Sequence, residues 1–317
     1  MPFEKALARA APALVLLGVP LLVGGQLASG RPLASAPRCP VFPATNQWNL
    51  PVDKLPLASN SDALVRSIGI DASAHADFGS GNYNGAPIGI PYVAVSGHQR
   101  KVHVSFQYGA ESDKGPYPIP RNVPIEGGRQ SDGDRHALIV DRSHCRLYEL
   151  YGLYPTAGGG WKAGSGAIWS LRSNKLRRAG WTSADAAGLP ILPGLARYDE
   201  VRHGAINHAL RITVPHTRKA FIYPARHYAS SDTDSNLPAM GQRFRLKAGF
   251  DISGFPRQSR IVLRALKKYG GIVADNGSAW YVTGAPNRGW NNDDLHSLDR
   301  LTGRDFEAVD TSSLPRG

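Results

Sequence analysis

Two things are scarce in this chain of 317 residues: cysteine, present twice, and acid, with 25 Asp and Glu against 37 Lys and Arg. Several signatures are absent altogether. There is no GxSxG elbow, no HExxH, no Walker loop and no Rossmann glycine pattern, which removes the motif-defined serine hydrolases, zincins, P-loop NTPases and dinucleotide enzymes. No internal repeat is visible. The formal charge of +12 suits an anionic partner surface. No basic run is long enough for a nucleic-acid arm, the densest being Lys175-Leu176-Arg177-Arg178, so nucleic acid is not an expected partner.

Long apolar runs are also missing, with one exception at the N-terminus. Lys5 and Arg9 precede an apolar stretch from Ala10 to Val23, and small residues follow at 24–29 and again at Ala34-Ser35-Ala36. Charged start, short apolar middle and small-residue exit describe a secretory signal. The run is shorter than the ~20 residues of a comfortable membrane span and contains Pro12 and Pro20. Residues 1–36 are therefore expected to be a signal peptide or N-terminal anchor, with any membrane contact made only through an uncleaved N-terminal segment. The protein is expected to be secreted, periplasmic or extracellular. In that setting Cys39 and Cys145 are expected to form one disulfide, worth ~4–5 kcal/mol in the chain-entropy model.

What is abundant is punctuation. Thirty-five glycines and 24 prolines cut the chain into short elements, while 42% hydrophobic residues supply a core. The expected fold is mainly β: a single sandwich or jelly-roll-like domain over residues 37–317, with long loops and two or three short helices. Residues 91–96 with 101–108, and 136–141 with 145–151, read as two hairpins. Later strands are expected over 167–171, 206–214, 220–225, 243–252, 272–274 and 280–283. Gln258–Tyr269 carries an apolar stripe and stops at Gly270-Gly271, as a helix does. A shorter helix is expected over Asn292–Leu301.

The segments CPVFPATNQWNLPVDKLP, GWTSADAAGLPILPGLARYDEV, RLKAGFDISGF and ADNGSAWYVTGAP resemble those of a family of secreted bacterial proteins without an assigned activity. The resemblance covers most of the chain after the leader. It implies an extracellular domain and carries no catalytic assignment.

Chemistry concentrates in Gly180–Val214, where a Gly/Pro loop runs through a short helical turn into a strand. Hydrolysis of a glycosidic bond needs one protonated and one ionised carboxyl. Asp185, Asp199 and Glu200 are the candidate acids, with His208 as a further catalytic candidate. Asp275, at a strand end, joins Arg211, Arg245, Trp181 and Trp280 as candidate substrate-binding groups, the tryptophans as stacking surfaces for sugar. Alternation along the strand places His208 and Arg211 on opposite faces. Glu200, His203 and His208 match no established zinc spacing, so neither a metal nor a cofactor is expected. The expected function is hydrolysis of an extracellular or cell-wall polysaccharide by paired carboxylates. The alternatives are a lyase acting on an anionic glycan through a basic sheet face containing Arg243 and Arg245, or a non-catalytic module that binds glycan or envelope.

Overall fold

The computed structural model describes residues 30–316. The fold is mainly β. A six-stranded mixed sheet has the order His75–Asp77, Tyr281–Thr283, Leu210–Val214, Gly271–Asn276, Arg243–Leu246 and Phe306–Val309. A four-stranded sheet has the order Ser165–Ser170, Arg146–Tyr151, Ala137–Asp141 and Tyr92–Val95. Two smaller sheets, of three and two strands, complete the architecture.

The six-stranded sheet is built on one large apolar cluster, and the four-stranded sheet separates two others, with Leu138 and Val140 in one and Ala137 and Ile139 in the other. The helix Arg257–Lys268 buries Ile261, Val262, Ala265 and Leu266 against the large sheet and leaves Arg264 in water. It starts after Pro256 and ends at Gly270, whose φ of +69° ends the helix. The expected second helix is α-helical over Asn292–His296 and continues as a 3₁₀ turn over Ser297–Arg300.

Of the two expected hairpins, Ala137–Asp141 with Arg146–Tyr151 forms as an antiparallel pair. The other does not form. Tyr92–Val95 instead pairs in parallel with Ala137–Asp141, while Val104–Phe106 joins the three-stranded sheet beside Trp161–Ala163. Alternation marked both runs as strands correctly, but partner choice depends on which strand the chain next brings alongside. Residues 220–225 make isolated bridging contacts only.

Cys39 and Cys145 are bonded, which is compatible with an extracellular or periplasmic location. Most of the expected leader, residues 1–29 with the apolar run, lies outside the described residues. Residues 30–36 pack on the body: Gly30 bridges Val41, and Leu33 and Ala36 are buried in the cluster beneath the four-stranded sheet. Among the described residues no helix is long and apolar enough to cross a membrane.

Candidate active site

Neighbouring strands of the large sheet set a row of polar side chains on one face. Along Leu210–Val214, residues Leu210, Ile212 and Val214 enter the core, so Arg211 and Thr213 point the other way. Asp77 lies opposite Thr283 in the parallel pair His75–Asp77/Tyr281–Thr283. A bulge completes the row. Arg211 aligns with Ile272, but the register slips after Ile212 so that Thr213 aligns with Asp275. Without that slip Asp275 would face the core; with it Asp275 shares the face of Arg211.

Arg211 is the hub of this face. Its Nε and Nη2 donate to the two oxygens of Asp185 at 3.0 and 2.8 Å, Nη2 also reaches Asp275 Oδ2 at 3.1 Å, and Nη1 donates to Thr283 Oγ1 at 2.9 Å. The buried Asp185 carboxylate raises the guanidinium's pKa above its already high value, so Arg211 is a permanent cation. Asp185 is delivered by a tight loop. Ser183 Oγ accepts from Asp185 N and donates to Leu189 O, and the turn closes at Gly188, which has a φ of +68°. A Cβ on Gly188 would come within 2.5 Å of Trp181 O.

The four-stranded sheet supplies the facing wall. Just before Ala137–Asp141, Arg135 adopts a left-handed φ of +52°, so Asp134 opens to solvent while His136 turns inward. The Arg135 guanidinium secures that turn on the carbonyls of Gly128, Arg129, Ser131 and Leu153. His136 Nε2 faces the Ala184 carbonyl at 3.0 Å, an acceptor, and therefore carries hydrogen; Nδ1 lies 2.6 Å from Glu126. Burial disfavours a charged ring, but Glu126 outweighs it and carries His136 up to about 9. Burial likewise opposes ionisation of Glu126, and the imidazolium outweighs that too, holding the carboxyl below its usual range.

Between the walls lies a cleft of about 430 Å³, lined by Tyr108, Asp134, Tyr151, Asp185, His227 and Asp275 among others. That volume is within the range of small-ligand sites. Burial lifts Asp275 to about 6; Arg211 pulls it down, while Asp185 and Asp134 push it up. Asp77 keeps solvent contact, yet crowding by surrounding protein and the charge of Glu126 raise it above its ordinary value.

Donor atoms of Glu126, Asp134 and His136 lie within 4.8 Å of one another, a grouping that could gather round a cation. The proton shared by His136 Nδ1 and Glu126 occupies the place such an ion would take, so a metal there must first displace it.

Of the residues expected from sequence, Asp185, Arg211 and Asp275 converge here. Trp181 borders the neighbouring groove. Asp199, Glu200 and His208 form a different cluster with Arg197: Glu200 is ion-paired with Arg197 Nη2 at 2.9 Å and pairs with His208 Nε2 at 3.0 Å, all three buried, while Asp199 lies 3.6 Å from Arg197 Nε. His203 points outward and bonds the Asp199 carbonyl. Arg197 also donates to the carbonyl of Arg31, so this cluster ties the first described residues to the body. Trp280 is a core residue, stacked on Phe306 at 4.7 Å with Nε1 bonded to Gly69 O. Arg245 is committed to Glu307 and to the carbonyls of Val52 and Leu55. Its neighbour Arg243 is buried, donates to Gln47 O, and is pulled down to about 9 by burial. That face of the strand is a packed interior and not a cationic groove.

A direct consequence concerns Glu200→Gln. Removing one partner of a buried ionic cluster costs about 3–5 kcal/mol, because Arg197 loses its buried counter-charge and His208 Nε2 its carboxylate partner. Chemical denaturation should register that loss, while the folded fraction keeps its cleft.

Asp77, Glu126, Asp134 and His136 were not singled out from sequence. The one local hint is Asp134-Arg135-His136 directly ahead of the apolar run Ala137–Val140, where polar groups gather at the mouth of a sheet. No family model, no curated protein and no solved structure matches the chain, so the assignment of the site rests on its geometry.

Proposed function

We propose that the protein is a secreted carbohydrate-active hydrolase that cuts a glycosidic bond of an extracellular or cell-wall polysaccharide, with Asp275 as general acid and Asp134 as its ionised partner. The observation that carries this reading is the state of Asp275. Its carboxyl opens on the cleft and is lifted to about 6, so it holds a proton to far higher pH than an ordinary aspartate. A glycosidase needs one carboxyl in that condition and a second that is ionised. Asp134 lines the same cleft, and its charge is felt at Asp275.

In the reaction the Asp275 proton passes to the glycosidic oxygen as the bond to the anomeric carbon breaks. Asp134 meets the positive charge developing on the sugar from the other side, by activating water or by attacking directly. Arg211 keeps the Asp275 oxygen in place and Asp185 keeps Arg211 in place. Tyr108 and Tyr151 offer rings and hydroxyls to the sugar. The resemblance to secreted bacterial proteins, the leader-like N-terminus and the disulfide agree with action outside the cytoplasm.

Incubation with a panel of plant, algal and bacterial wall polysaccharides tests the reading. New reducing ends without near-ultraviolet absorbance are expected. An unsaturated, absorbing product would mark a lyase, and polymer retention with no product from any member would mark a binding module.

A further inference from the structure

Beside the acidic cleft lies a second groove of about 290 Å³, and its charge is opposite. The wall between them is Arg177. Its Nε donates to Thr182 O and its Nη2 to Glu111 O, both residues of the acidic cleft, while Nη1 pairs with Asp113 in the groove at 2.6 Å. Sequence continuity makes the same join, since Trp181 lines the groove and Thr182 the cleft. A chain of sugars leaving the cleft over this wall therefore enters the groove.

The groove holds a platform and two unneutralised cations. The Arg177 guanidinium sits 5.7 Å from the Trp169 ring and 5.5 Å from the Trp181 ring, which fixes the half-buried Trp181 as a preformed surface. Lys175 and Arg178 line the groove, are exposed, and among the described residues have no carboxylate within 4.0 Å. Arg177, by contrast, is already paired with Asp113 and has no charge to spare.

We infer that the groove formed by Trp181, Lys175 and Arg178 is a subsite for an acidic sugar, so that the substrate is an anionic polysaccharide whose charged substituent lies to one side of the cut bond. This rests on the hydrolase reading for the location of the cut. The recognition itself is independent of it. A carboxylate, or a sulfate or phosphate ester, on a ring stacked over Trp181 would meet both cations, and the acidic cleft would repel the same group, which sets the direction in which the polymer lies.

The test is affinity electrophoresis of the full chain carrying Asp275→Asn, chosen to slow any cutting during the run, in gels containing polygalacturonate, alginate, dextran sulfate or neutral dextran. Retention by at least one anionic polymer and none by dextran is expected. Adding Lys175→Ser and Arg178→Ser should weaken that retention about tenfold, as loss of two charge-assisted contacts does. Adding Lys54→Ser and Arg264→Ser removes the same charge elsewhere and should change retention less than twofold by the same logic. Adding Trp181→Ala should weaken retention with the net charge untouched. A response to sulfated polymer alone or to uronate polymer alone names the substituent. Equal losses in both double variants, or no retention by any anionic polymer, overturns the inference. Binding that behaves as expected, with no polymer cut by the unmodified protein, overturns the hydrolase reading and leaves the subsite standing.

Discussion

On the proposed reading, Asp275→Asn is expected to lower turnover on polysaccharide about a thousandfold, the size of effect that loss of a positioned general acid produces. Asparagine keeps the shape of the side chain and can still accept from Arg211, so the loss reports the proton and not the fold. A substrate with a good leaving group separates the two roles. An aryl glycoside whose leaving phenolate needs no proton should lose far less, whereas Asp134→Asn should depress both substrates. Equal losses on both substrates in Asp275→Asn would remove the residue from the acid's role. The pH profile adds a second reading. In the proposed role Asp275 works while protonated, so rate should fall as pH rises through about 6. Stability follows the same group. The folded protein binds this proton more tightly than the unfolded chain, so the contribution is full below the ordinary aspartate value of 3.8 and is lost as pH rises towards about 6. Thermal unfolding of Asp275→Asn across that window should lack this decline. The Glu126–His136 pair runs differently. His136 contributes below its ordinary value and loses that contribution as pH climbs through about 9, while Glu126 loses its own as pH falls through its depressed range.

How far the site could be read from the chain follows from what is local and what is not. The helix after Pro256 and the strand expected over 206–214, which forms over Leu210–Val214, were legible because their periodicity is carried by consecutive residues. Alternation also separated Arg211 from the core side of its strand, and in the fold Arg211 and His208 do serve different clusters. Asp185 and Asp275 were legible as candidates because a loop acid and a strand-end acid are where chemistry gathers. Their partnership was not, since it depends on the register slip after Ile212, and a slip leaves no mark in composition or period. Glu200 and His208 attracted attention for the reason that makes them interior: a buried acid and a buried histidine a few residues apart look like a dyad whether the dyad faces a substrate or a packed N-terminal segment. Trp280 follows the turn Gly277-Ser278-Ala279 yet fills the core, where its ring, carried on a left-handed backbone, stacks on Phe306. Asp134 and His136 owe their opposite directions to one backbone torsion at Arg135, which no residue-type rule anticipates for arginine.

Arg211→Met should cost about 3–5 kcal/mol of stability, because it leaves the buried Asp185 carboxylate without a counter-charge. The same change acts on chemistry through Asp275. Arg211 is the largest influence pulling Asp275 down, so without it burial and the facing Asp185 are opposed only by the weaker pull of His136. The alkaline limb of the rate profile should then move up from about 6 in whatever fraction remains folded. Destabilisation with an unmoved limb would mean that Arg211 serves packing alone. Lysine cannot stand in for the fork that spans two carboxylates, so Arg211→Lys should restore the charge but not both bonds to Asp185. A double-mutant cycle closes the question. Asp185→Asn combined with Arg211→Met removes both buried charges together, and the pair should be more stable than Arg211→Met alone, since an uncompensated carboxylate no longer remains. The limb should also fall back part of the way, because the Asp185 charge that pushed Asp275 up has gone. Stability and titration moving together in that cycle would tie the architecture of the large sheet to the proton that the cleft uses.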